Sequence, residues 1–192
     1  MTTEFPLPYE FELDDSRLSL LEKIKPGDKC AEIGVFKGDF ADFILKMEPS
    51  ELHLVDPWIS IMNIPARWHA IPQEDMDSIK QDVVDRFSAD SRVDIINKYS
   101  IDALDDIEDG SLDWIYLDAN HSYSFAQQDL ENWWFKLKAG GFLCGNAYQD
   151  DDAQVRLLDF GIIPAVDTFL EDYFEEIANF ETFKYQYLLT KK

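Results

Sequence analysis

Residues 30–40 read Cys30-Ala31-Glu32-Ile33-Gly34-Val35-Phe36-Lys37-Gly38-Asp39-Phe40, and residues 52–57 read Leu52-His53-Leu54-Val55-Asp56-Pro57. A short apolar strand ends at Glu32–Ile33, and a turn with Gly34 and Gly38 follows. Phe40, Ile44, Leu45 and Met47 then recur at helical spacing until Pro49 and Ser50 break the pattern. A second strand, Leu52–Val55, alternates with polar residues and ends on Asp56, 22 positions after Gly34.

That spacing is close to the one at which a Rossmann-type strand–turn–helix–strand unit holds a ribose. The glycine pattern is incomplete, however. A dinucleotide fingerprint needs a middle glycine so that the backbone can approach a pyrophosphate, and Phe36 stands there instead. A nucleoside without phosphates fits better, S-adenosylmethionine (SAM) being the common one, with Asp56 on the ribose hydroxyls. An ordinary α/β crossover whose glycines only shape a turn would carry the same residues.

The 192 residues are expected to form a single domain with a proper core, being 46% hydrophobic and 14% aromatic. A formal net charge of −22 repels phosphate backbones and anionic membranes, so neither nucleic acid nor membrane is an expected partner. Met1 to Pro8 is acidic and broken by prolines, unlike a secretory signal, and no apolar run reaches membrane-spanning length. A cytoplasmic protein is expected.

Residues 1–28 read as an acidic, aromatic arm and a short helix, capped by Asp15, with Leu18, Leu20, Leu21 and Ile24 on its apolar side. Residues 57–72 form an aromatic insert holding Trp58, Ile59 and Trp68 among three prolines. Leaving the ribose end of the second strand, it reads as a substrate wall or lid, or as a homodimer contact or cover for the sheet edge. A helix over 73–87, a strand over 93–96 and a short helix capped by Ser100 follow. Leu112–Asp118 is the fourth strand and again ends on an acid. After the loop Asn120-His121-Ser122-Tyr123, Ser122 caps a helix with Ala126, Leu130, Trp133, Trp134 and Leu137 on one stripe. Ala139-Gly140-Gly141 turns into a fifth strand, Phe142–Gly145. A helix over 163–173 and a hairpin of segments 175–183 and 184–190 close the chain.

Three stretches in this order carry a resemblance: residues 31–38, residues 112–123 and residues 129–141. They resemble class I SAM-dependent methyltransferases, specifically the small O-methyltransferase-like group that includes enzymes modifying sugars and other small molecules. The resemblance implies an α/β, Rossmann-like three-layer sandwich. Its mostly parallel seven-stranded sheet has order 3-2-1-4-5-7-6, with only the last-numbered strand antiparallel. Cys30 and Cys144 would then lie two strand spacings apart, roughly 9.6 Å, beyond the reach of a disulfide at about 7 Å.

The same resemblance implies that Glu32, Gly34, Asp56 and Asp118 converge on a crevice at the switch point between strands 1 and 4. Gly34 would let the methionine part of SAM approach, Glu32 would hold its amino group, Asp56 its ribose, and Tyr99 and Ser100 would flank the adenine. In that family polar groups after strand 5 complete a metal or substrate site. Gly145-Asn146-Ala147-Tyr148 stands there instead, and no metal is expected. His121 is the candidate general base for a hydroxyl acceptor, oriented by Asp118. Tyr123, Tyr148, Asn146, Trp58 and Trp68 are candidate walls of the acceptor pocket. The expected activity is SAM-dependent O-methylation of a small hydroxylated acceptor. The alternative is a SAM-binding interaction module with a degraded site.

Overall fold

A computed structural model describes residue 11 and residues 13–60, 71–149 and 161–192. Its elements run α1 (Asp15–Leu21), β1 (Lys29–Ile33), α2 (Ala41–Lys46), β2 (Glu51–Val55), α3 (Gln73–Phe87) and β3 (Val93–Ile96), then a 3-10 turn at Leu104–Asp106. They continue with β4 (Leu112–Leu117), α4 (Tyr123–Lys136), β5 (Leu137–Gly145), α5 (Ile162–Asp172), β6 (Ile177–Phe183) and β7 (Gln186–Lys191). One seven-stranded sheet has the order β3-β2-β1-β4-β5-β7-β6. Only β7 runs antiparallel to its neighbours, β5 and β6.

Period-2 alternation divides the strand residues between two cores. Ala31, Ile33, Ile115, Leu117 and Leu143 pack with Leu130, Trp133 and Trp134 of α4 and Val166 and Phe169 of α5. Cys30, Leu52, Leu54, Trp114, Tyr116 and Leu188 pack on the other face with residues of α1, α2 and α3. The switch point falls between β1 and β4, because β1 pairs with β2 on one side and β4 on the other. Both cysteines are free and buried. Cys30 pairs in register with Trp114, and Cys144 with Tyr116, so β4 lies between them as expected.

The structure corrects three local expectations. The first helix is capped by Asp14, whose side chain accepts from the Arg17 amide, and not by Asp15. Its buried residues are Ser16, Leu20 and Leu21, followed by Ile24, with Arg17 half-buried beside them, whereas Leu18 is exposed. The turn expected at Ala139-Gly140-Gly141 lies within β5, which starts directly at the end of α4. The backbone turns extended at Leu137, which pairs with Leu112, and a register shift with Gly140 at φ 79° takes up the irregularity. Ser122 is the N-cap residue of α4 but makes no cap bond; its hydroxyl donates to Asn120 Oδ1 at 2.9 Å. Residues 61–70, and with them Trp68, lie outside the described residues.

Candidate cofactor and active site

Each acid singled out at a strand end sits where the last strand bond has just been made. The Asp118 amide donates to Ile33 O at 2.8 Å, and the Asp56 amide to Ile96 O at 3.2 Å. The Gly34 amide, one residue past β1, donates to Val55 O at 2.9 Å. The strands therefore deliver Gly34, Asp56, Asp118 and Asn146 to one rim. Phe36, Trp58 and Ala147 hold left-handed backbone beyond β1, β2 and β5, conformations that non-glycine residues adopt only where the surroundings enforce them.

Asp56 supplies part of that enforcement. Its Oδ2 accepts from the Val35 and Phe36 amides at 2.9 Å each, and its Oδ1 from the Trp58 amide at 2.7 Å. Three of a carboxylate's roughly four lone-pair positions thus brace the turn. Trp58 closes the brace by donating its indole N–H to Phe36 O at 2.8 Å. Expected above an acceptor pocket, Trp58 is instead 2% exposed and supports the turn from within the core. Gly34 has φ 93°, and a Cβ there would stand 2.3 Å from Asp118 O. The switch point itself demands glycine at this position.

Glu32 is 2% exposed, and its Oε2 has no hydrogen-bond partner among the described residues. Burial pushes its carboxyl well above the ordinary value, and the charges of Asp118, Asp56 and Asp39 push the same way against Arg17. Such an oxygen is a prepared acceptor for a cationic donor.

Asp118, His121 and Asn146 come together as expected. His121 Nε2 lies 3.0 Å from Asp118 Oδ1, and Asn146 Nδ2 donates to the same oxygen at 3.2 Å. Burial raises the Asp118 carboxyl, but the His121 bond and charge, Arg17 and the Asn146 amide together hold it below its ordinary value. The loop is clamped from α5, because Gly161 N donates to His121 O at 2.7 Å and a Cβ on Gly161 would collide with Tyr123.

Behind Asn146 runs a chain of bonds that the sequence reading missed. The Tyr116 hydroxyl donates to Gln186 Oε1 at 2.9 Å. Gln186 Nε2 donates to Asn146 Oδ1 at 2.7 Å, and Asn146 passes the polarity on to Asp118. Every donor in the chain points toward the Asp118 carboxylate, so each bond strengthens the next.

The remaining candidates are scattered around this centre. Tyr99 is 52% exposed and lines a groove of about 420 Å³ with Pro57, Trp58 and Asn97, at the ends of β2 and β3. Ser100 faces α4 instead, bonding Asp129 and accepting from Trp133 Nε1 at 2.7 Å. Its hydroxyl therefore caps nothing. Tyr123 is exposed, with its hydroxyl 3.4 Å from Thr168 Oγ1, and Tyr148 donates to Asp167 Oδ1 at 3.1 Å. Among the described residues, no group of three or more His, Cys, Asp or Glu could hold a metal ion.

Solved structures share this architecture. A provisionally assigned rRNA-methylase from Clostridium thermocellum is 13% identical, with TM-score 0.65 over 94% of this chain and 98% of its own. A provisionally assigned caffeoyl-CoA O-methyltransferase from Staphylococcus aureus is 14% identical, with TM-score 0.62 over 92% and 80%. The O-methyltransferase NovP is 15% identical, with TM-score 0.59 over 91% and 77%. No curated protein matches the chain by sequence. Residues 31–148 match the family described as a methyltransferase domain, a span that holds the glycine turn and all of the strand-end acids. The chain belongs to that methyltransferase family.

Proposed function

We propose that the protein O-methylates a small hydroxylated acceptor, such as a sugar or secondary metabolite, in the cytoplasm. The observation that carries this reading is the His121–Asp118 pair, 3.0 Å apart at the carboxyl end of β4. The crevice fits the cofactor, since the unpartnered Glu32 Oε2 suits an ammonium and the braced turn leaves Asp56 one lone-pair position for a ribose hydroxyl. When bound, SAM supplies a methyl group on a positively charged sulfur.

The chain's own contribution is alignment and a proton acceptor. With Nε2–H donating to Asp118, the neutral His121 ring carries its lone pair on Nδ1, which takes the proton of the attacking hydroxyl. The Asp118 carboxylate stabilises the resulting imidazolium and holds the ring in that tautomer. The polarised chain behind Asn146 keeps Asp118 ionised for the task.

RNA methylases share the fold, but the charge balance favours a small acceptor. Thirty-nine acidic residues against seventeen Lys and Arg give a surface that repels a polyanion. A second reading is a SAM-binding module without turnover. It is favoured by Asn146, whose amide is bonded on both sides, and by Tyr148, whose hydroxyl is engaged by Asp167.

A panel of hydroxylated acceptors assayed with SAM separates the two. Turnover should fall about 100-fold or more in His121→Gln while SAM affinity stays unchanged, because a base acts on the acceptor's proton. SAM binding with no methyl transfer to any acceptor would replace the first reading with the second.

A further inference from the structure

The sheet has two outer edges, and they differ. β3 is four residues long, and within it Asp94 carries a mostly exposed carboxylate, the kind of charge that discourages a further strand. β6, at the opposite edge, runs for seven residues and pairs on one side only, with β7.

The hairpin shows which groups β6 turns outward. Phe183 and Gln186 flank the two-residue turn at Lys184 and Tyr185, so they form a hydrogen-bonded pair, and such pairs recur at every second residue. Glu181–Leu188 is the next of them, which leaves Phe180 and Thr182 with their N–H and C=O groups facing away from β7. Among the described residues no strand lies against these groups. The sole charge in β6, Glu181, is engaged within the chain, its carboxylate accepting from Lys23 Nζ at 3.5 Å and from Asn179 Nδ2 at 3.1 Å. Phe174 and Tyr185, both exposed, flank the two ends of the strand.

We propose that β6 pairs antiparallel with β6 of a second copy of this chain, around a two-fold axis at Phe180. Charge and aromatic placement select that register. An axis at Glu181 would set the two Glu181 carboxylates directly opposite each other, which is destabilising. With the axis at Phe180, each Glu181 faces Asn179 of the other copy, whose amide is a donor. The same axis carries the turn before β6 of one copy to the hairpin tip of the other. Glu176 then falls opposite Lys184, whose side chain is mostly exposed, and Phe174 falls within one place of Tyr185. Such a contact is self-complementary and closes on itself. The edges that remain are the two copies of β3, short and guarded by Asp94, so assembly stops at the dimer.

Sedimentation equilibrium of the full chain at roughly 1 to 300 μM, in about 0.15 M and 0.5 M salt, tests the proposal. A species of twice the 22.3 kDa chain mass should appear. It should tighten with salt, because two chains of net charge −22 repel each other outside the contact. Thr182→Pro removes an outward donor and no bond to β7, and should weaken the dimer about 10-fold or more, with thermal melting checking the fold. Asn179 is exposed, so two milder variants read the register. Asn179→Glu should weaken association about 5-fold and Asn179→Lys should tighten it about 5-fold, since each contact with Glu181 occurs twice. A chain that stays monomeric throughout would overturn the proposal and leave the edge to an extended peptide. A dimer indifferent to Thr182→Pro would also overturn it, placing the contact on another face. Shifts in the same direction for both Asn179 variants would refute the axis at Phe180.

Discussion

Replacing Asp129 by Asn should make the protein more stable at neutral pH, by an amount that grows with pH. Asp129 is 8% exposed on α4, bonded to Ser100, and burial pushes its carboxyl from 3.8 up to about 6, against the pull of that bond and of His121. Between those two values the native protein holds a proton that the unfolded chain has released. Stability therefore falls as pH rises through this window, and the full penalty of about 3 kcal/mol is present above it. Asn is neutral at every pH, has nearly the same shape and keeps an oxygen for Ser100. The variant-minus-wild-type difference in unfolding free energy should therefore increase by about 1.4 kcal/mol between pH 5 and pH 8, the part of the linkage curve that lies in that range. Working above pH 5 also avoids the isoelectric point near 4.2. Urea unfolding followed by tryptophan fluorescence at pH 5, 6, 7 and 8 gives the difference directly, provided the slope with urea is the same for both proteins. A difference that does not change with pH would show that Asp129 is ionised in the native state at pH 5, and the reasoning from its burial would fail.

Gly34→Ala should destabilise the protein by about 3 kcal/mol or more, because its Cβ would meet Asp118 O at 2.3 Å on a backbone with φ 93°. Thermal melting checks this, and a near-normal melting temperature would mean that the β1–β4 switch point yields easily. Methyl transfer should persist in excess EDTA, since Asp118 is joined by an amide, Asn146, rather than by a second carboxylate. Activity lost on chelation and restored by magnesium or manganese would show that other residues supply the missing ligands.

The sheet was legible because each of the first five strands ends in a recognisable stop: an acid or an amide after β2, β3, β4 and β5, and Gly34 after β1, where two backbones must cross. That Asp118 and Asn146 meet on one rim, with His121 three residues on, was legible for the same reason. Arg17 and Asp129 were not read, although they share a visible signal. Each is a charged residue on the apolar stripe of its own helix, Arg17 before Leu20, Leu21 and Ile24, and Asp129 between Ala126 and Trp133. Such a residue is turned inward by the helix, and it needs either a partner or a task. Gln186 left no comparable trace. In a hairpin rich in aromatic and β-branched residues, only the pairing of β7 with β5 decides which side chain meets Asn146, and that register is a tertiary fact. The bonds that Ser100 makes to α4 and the brace that Trp58 provides were not legible, because a polar residue after a strand and an aromatic after an Asp-Pro pair fit a ligand wall and an internal brace equally well.

Gln186 belongs to the strand that synthesis delivers after every other strand of the sheet, yet β7 occupies an interior place between β5 and β6. At about 5–20 residues per second, a growing chain presents β1 to β5 seconds before β7 is available, and β6 only about a second before it. During that interval β5 has an open edge, β6 has no neighbour and Asn146 has no amide behind it. The strand that closes the sheet is also the one that supports the rim carrying Asn146 and Asp118. A nascent chain therefore acquires its finished crevice and covers the open edge of β5 in the same event, which couples readiness for ligand to protection of that edge from aggregation.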